Sequence, residues 1–153
     1  MPMFFDTSKI GMSWNGVIPV FKPRTMLKIN AGASEETEQI YIFCWAEGLA
    51  HRYPILERLY HVPNGGARSK AVAGKLKAAG VKSGVPDIDL PAARGGYYGL
   101  HIELKAGKNK IEPKQREWLE HLTQAGRFAC VCYGADAATE IIERYLNGHI
   151  TKA

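Results

Sequence analysis

The stretch from Gly84 to Lys105, GVPDIDLPAARGGYYGLHIELK, constrains the fold of this chain more than any other. Two short apolar runs, 85–90 and 97–105, flank a Pro/Gly-rich reversal at 91–96, which predicts a β-hairpin. Side chains alternate along a strand, so Leu100, Ile102 and Leu104 fall on one face and His101, Glu103 and Lys105 on the other. The apolar face is expected to pack on a helix, which brings Glu103 and Lys105 out together on the opposite side. A hairpin that sets Asp87 alongside them gathers two carboxylates and an ammonium at one point. Adjacent carboxylates repel, and a hard divalent cation with oxygen ligands relieves the repulsion. Lys105 then completes the charge balance, positions a water or stabilises a developing negative charge. The competing reading is a surface hairpin with an ordinary charged face, for which a lone E-x-K ending is common.

A chain of 153 residues carries one domain with a real core and hardly two. No run reaches membrane-spanning length, and residues 1–6 lack the order of a secretory leader, so a cytoplasmic protein is expected. Cys44, Cys130 and Cys132 sit in apolar runs without zinc-ligand spacing and are expected to be structural thiols. The formal charge is +5, but its placement matters more. Between Asn64 and Pro86 stand Arg68, Lys70, Lys75, Lys77 and Lys82 with no acid among them, a surface that suits a polyanion. Other chemistries fail: Gly74-Lys75 is followed by Leu76 and has no glycine five residues earlier, the histidines lack zinc spacing, and no G-x-S-x-G turn occurs.

Along the chain, residues 1–33 read as an N-terminal extension packing on the domain. Strand-like runs lie at 16–21 and 25–29, and Pro19 and Pro23 argue against a central ladder. Ser34, followed by Glu35, Glu36 and Glu38, opens a helix to about Ala50, with Ile40, Phe43, Cys44, Trp45 and Leu49 giving its periodicity. Capping and the helix dipole explain these acids, unless the helix runs beneath the hairpin and one leans into the acidic cluster. Residues 53–62 hold a short helix running into a strand. Asn64-Gly65-Gly66 then make a turn whose amides can approach a phosphate, with Asn64 or Arg68 contacting it. A helix over 67–79 follows, with Val72 and Leu76 apolar and lysines elsewhere. After the hairpin, Glu112-Pro113 open a helix in which Gln115, Trp118, Leu119 and Leu122 face inward. Residues 127–133 form a buried strand, Asp136 caps a final helix to Gly148, and 149–153 fray. The order predicts an α/β sandwich around a mixed sheet.

Pro86-Asp87 followed by Glu103-Leu104-Lys105 in such a core resembles the PD-(D/E)xK, or restriction-endonuclease-like, nuclease superfamily. More narrowly, His61-Val62-Pro63-Asn64-Gly65-Gly66-x-Arg68, Gly84-Val85-Pro86-Asp87, Gly99-Leu100-x-Ile102-Glu103-Leu104-Lys105 and Gln115-x-x-Trp118 are similar to the VRR-NUC nuclease domain, and the likeness runs over about 35–146. The resemblance implies a three-layer sandwich with a central mixed sheet and an αβββαβ-type core, set in residues 34–148. It also implies a Mg²⁺- or Mn²⁺-dependent DNA endonuclease that cuts branched DNA such as Holliday junctions or flaps, as a homodimer of phage or bacterial type, with no small-molecule cofactor. Asp87, Glu103 and the Leu104 carbonyl would hold the metal, with Glu38, or else Glu35 or Glu36, as the helical acid. Lys105 would act on the attacking water, and Gln115 would support it. The Asn64–Gly66 turn, Arg68 and the lysines at 70, 75, 77 and 82 would meet DNA. The alternatives are a sequence-specific restriction or nicking endonuclease and a non-catalytic DNA-binding module.

Overall fold

The computed structural model describes residues 11–15, 18–22 and 33–152. Its centre is a mixed sheet of order β1-β2-β6-β5-β4-β3 among the described residues. The strands are β1 (Gly11–Asn15), β2 (Ile18–Lys22), β3 (Tyr60–His61), β4 (Ile88–Leu90), β5 (Leu100–Lys105) and β6 (Phe128–Tyr133). The expected hairpin is present, with Ile88 opposite Ile102, Asp89 opposite His101 and Leu90 opposite Leu100. β6 runs parallel to β5, joined to it through helix α3 (Pro113–Gln124). The resulting α/β sandwich is restriction-endonuclease-like.

Alternation along β5 decides the layers. Leu100, Ile102 and Leu104 join Ile88, Leu90, Phe128, Cys130 and Cys132 in the larger core, which helices α1 (Glu35–Leu49) and α4 (Ala135–Leu146) cover. Burying each such large side chain contributes about 1.5–3 kcal/mol. Tyr145 of α4 is wholly buried there and donates its hydroxyl to the Ala92 carbonyl at 2.6 Å, satisfying its one polar atom. On the other face Ile18, Leu119, Ala129 and Val131 form a smaller core under α3. α3 lies against β2, β6 and β5, and β4 and β3 extend beyond it.

Several expectations change. Pro19 does not keep its segment out of the ladder: β2 pairs with β1 in antiparallel register, Pro19 opposite Trp14, and in parallel with β6 through Val20 and Phe21. The hairpin β1–β2 therefore continues the central sheet, and Ile18 and Phe21 enter the two cores. The strand-like run at 25–29 lies outside the described residues. In α1 the buried positions are Glu38, Ile42 and Ala46, a spacing of four, while Ile40 and Cys44 face solvent. Ser34 caps this helix as expected, its hydroxyl accepting the Thr37 N–H at 3.2 Å. Helix α2 (Lys70–Ala78) starts at the Ser69 cap rather than at Ala67 and buries no residue; Val72 is exposed. The 53–62 segment is a 3₁₀ helix, Pro54–Arg58, leading into β3. Among the described residues no helix is long and apolar enough to cross a membrane.

Candidate active site

Asp87 sits just before β4, and its carboxylate accepts the Leu104 N–H at 2.8 Å, which ties it across the hairpin to β5. Extending the register by one residue places it opposite Glu103. Glu103 is 2 % exposed and Lys105 6 % exposed, their charged ends 3.3 Å apart. Asp87, Glu103 and Lys105 thus meet on the α3 face of the sheet, at the end of β5. Burial and the neighbouring Asp87 charge push the Glu103 carboxyl from 4.5 up to about 8, against the pull of Lys105. Burial also raises Asp87, opposed by the Leu104 N–H and by Lys105. Two carboxyls held like this compete for one proton or share one cation.

The donor set suits a cation. Glu103 Oε2 is buried without a hydrogen-bond partner among the described residues, although a buried carboxylate oxygen is ordinarily satisfied. No cluster of three or more His, Cys, Asp or Glu side chains with metal-binding geometry occurs among the described residues. Two hard oxygen donors without a full protein cage match Mg²⁺, which keeps waters and substrate phosphates in its shell, better than a closed zinc site.

The acids of α1 divide differently from the resemblance. Glu38 is buried, 7 % exposed, and its Oε2 accepts the Ala135 N–H at 2.7 Å. It therefore satisfies the first amide of α4, the task expected of Asp136. Gly134 precedes that helix with φ of 86°, and a Cβ there would come within 3.8 Å of the Glu38 carboxylate. One turn earlier, Glu35 lies close enough for its charge to raise Asp87, and it accepts a hydrogen bond from Asn109 at 3.1 Å. Gln115 is likewise engaged, since its Oε1 accepts the Glu112 N–H at 2.8 Å and closes the first turn of α3.

Arg68 turns back on its own loop, its guanidinium donating to the Pro63 carbonyl, and Asn64 Nδ2 donates to the Val85 carbonyl at 3.2 Å. These bonds shape the Asn64-Gly65-Gly66 turn, in which Gly66 has φ of 104°. Lys70, Lys75, Lys77 and Lys82 are exposed. The loop before Asp87 docks on α3: Trp118 Nε1 donates to the Ser83 carbonyl at 3.2 Å, and a Cβ on Gly84 would approach the Lys114 backbone to 2.7 Å.

Two roles escaped the sequence reading. His61 Nδ1 lies 2.8 Å from the Asp87 carbonyl, which also accepts the Val62 N–H. A carbonyl only accepts, so Nδ1 carries the hydrogen in this contact. Further along the same face, Tyr60 donates to Asp89 Oδ2 at 2.8 Å, His101 Nδ1 stands 3.6 Å from that oxygen, and Arg127 bonds His101 Nε2 at 3.2 Å. Alternation already set His101 on the Glu103 face, but no motif marked it, and Asp89 was not assigned to a face.

A profile of the VRR-NUC domain matches residues 34–136, more than half of the chain. The chain belongs to the VRR-NUC family. A solved structure titled "VRR_NUC domain protein" is similar, with a TM-score of 0.67 and 29 % identity over 80 % of this chain and 98 % of that one. No curated protein matches at a significant level. Membership in VRR-NUC, a nuclease domain, makes the protein a nuclease in general class, with nucleic acid as its substrate.

Proposed function

We propose that this VRR-NUC protein is a divalent-metal-dependent DNA endonuclease selective for branched DNA. The observation that carries the reading is the buried Glu103 oxygen left, among the described residues, without a partner beside Asp87, with Lys105 3.3 Å from the other oxygen. Asp87 and Glu103 would hold Mg²⁺ or Mn²⁺, with the Leu104 carbonyl and, in place of Glu38, Glu35 as further donors. When bound, the cation supplies Lewis acidity to the phosphoryl oxygen and the water.

The remaining work belongs to the chain. The Leu104 N–H fixes the orientation of Asp87. His61 and Val62 anchor the backbone that presents it. Lys105, a donor with no acceptor capacity, orients the attacking water or neutralises charge on the phosphoryl group in line with the displaced oxygen. Gln115 acts indirectly by fixing the start of α3. The exposed lysines of α2 and Lys82 take DNA phosphates without reading bases, which favours recognition by backbone and shape. A cytoplasmic homodimer, with one site for each of two strands, completes the proposal.

The test is cleavage of a labelled panel, comprising linear duplex, single strand, flap and four-way junction, with Mg²⁺, Mn²⁺ or chelator. The expected result is metal-dependent cutting of branched DNA that Lys105→Ala lowers by at least two orders of magnitude with binding retained. Cutting of linear duplex at one defined sequence would replace this reading with a restriction-type enzyme. Binding without cutting in every metal would leave a DNA-binding module.

A further inference from the structure

The Tyr60–Asp89–His101–Arg127 chain has no part in the chemistry at Glu103, yet it places polar groups in the interior. Arg127 can only donate, so His101 Nε2 accepts and Nδ1–H points toward Asp89. Asp89 Oδ1 is buried without a partner among the described residues. An apolar cluster of the same volume would ordinarily cost less than such a network. What the network produces is a fixed aromatic ring: Tyr60, 47 % exposed, is tethered through its hydroxyl on the edge strand β3.

The ring has a definite relation to the site. Tyr60 pairs with Asp89, and Asp89 follows Asp87 by two residues on the same face. Strand geometry puts Tyr60 about 7 Å along and about 5 Å across from Asp87. α3 covers the sheet only as far as β5, so this ring stands on the part of the face that extends beyond the helix. Arg127 lies against Gly99, where a Cβ would come 3.0 Å from its Nη1, and its charge reaches Tyr60. An exposed, rigid aromatic with a cation nearby is the arrangement on which unpaired bases stack.

We propose that Tyr60 is a stacking platform for an unpaired nucleobase next to the phosphodiester cut at Asp87 and Glu103. This rests on the nuclease reading above and narrows its substrate to branched DNA with a single-stranded nucleotide at the cut. In intact duplex both faces of a base are already stacked, so Tyr60 contributes to binding a flap and not to binding a linear duplex. The phenol hydroxyl serves only as the tether to Asp89.

The test uses the full chain carrying Lys105→Ala, so that DNA is bound uncut, and flaps with 2-aminopurine stepped through the positions around the junction. One position is expected to be quenched on binding. Adding Tyr60→Ala should remove that quench and weaken flap binding about tenfold, the scale of one base stack, with linear-duplex binding unchanged. Tyr60→Phe should keep the quench. An abasic nucleotide at that position should cost the same tenfold, with no further loss in Tyr60→Ala. Equal flap binding with and without the Tyr60 ring, or losses that simply add, would overturn the platform while leaving cleavage by the otherwise wild-type chain intact. A Tyr60-dependent quench in a protein whose wild-type form cuts no DNA in any metal would retain the platform and remove the nuclease.

Discussion

Glu103 is a carboxyl buried beside Asp87, and its titration reflects that burial. In the unfolded chain it loses its proton near 4.5, whereas in the folded protein burial and Asp87 hold the proton until about 8. Between those values the folded state binds more protons than the unfolded, so its stability falls as pH rises through the window and levels off above it. The prediction concerns the metal-free protein. In chelator, Glu103→Gln should match wild type in melting temperature near pH 5 and exceed it progressively toward pH 9, because only wild type must bury the charge. A gap that stays constant with pH would show that Glu103 is not proton-coupled to folding. A cation stabilises the ionised pair, so the melting shift produced by Mg²⁺ or Mn²⁺ should grow with pH in wild type and vanish in Glu103→Gln. This residue was legible in the sequence because strand alternation and charge repulsion are both local rules. That its second oxygen has no partner among the described residues was not, because satisfaction depends on every neighbour in space.

At the scale of elements, α1 shows where reading from sequence loses its hold. The Ser34 cap and the acids of the first turn locate the helix start from local chemistry alone. Which acid does what depends on the packing angle against α4, and no periodicity contains that angle. The run of apolar residues suggested an inner face through Ile40 and Cys44, but docking turned the helix so that Glu38, Ile42 and Ala46 are buried. Glu38 thereby reached the N-terminus of α4, and Glu35 was left nearer Asp87. Likewise the 85–105 hairpin was legible from its period of two, while the place of β2 inside the sheet was not, because Pro19 removes a donor whose loss only a particular register tolerates. The division of the acids is testable. Glu38→Ala should cost about 1–3 kcal/mol of stability, the penalty for an unsatisfied buried donor, with cleavage per folded molecule retained. Glu35→Ala should leave the melting temperature within about a degree, as surface substitutions usually do, and weaken Mn²⁺ binding and cleavage. The reverse pattern would return the site role to Glu38.

For the molecule as a whole, the acidic cluster and the basic surface lie on different parts of the fold. Glu103 and Lys105 are buried on β5, and the Leu104 N–H ties the half-buried Asp87 to them. α2 buries no residue and stands outside the two packed layers, which makes it a carrier of charge rather than of core. On the proposed function, the exposed Lys70, Lys75 and Lys77, with Lys82 beyond the helix, would meet DNA through counterion release, each neutralised phosphate contributing about 0.7–0.9 to the slope of log K against log salt. Replacing all four by glutamine should reduce that slope by up to about 3.6. It should also weaken binding to junction, flap and duplex by similar factors, because phosphate contacts carry no sequence or branch information. At saturating DNA and fixed Mg²⁺, turnover should remain near wild type, since the hydrogen bond and ion pair that hold Asp87, Glu103 and Lys105 involve none of the four lysines. Loss of turnover at saturation would mean that α2 also orients the scissile strand. A slope unchanged by the four substitutions would mean that DNA approaches over another face, and the edge strand carrying Tyr60 would then be the surface to follow.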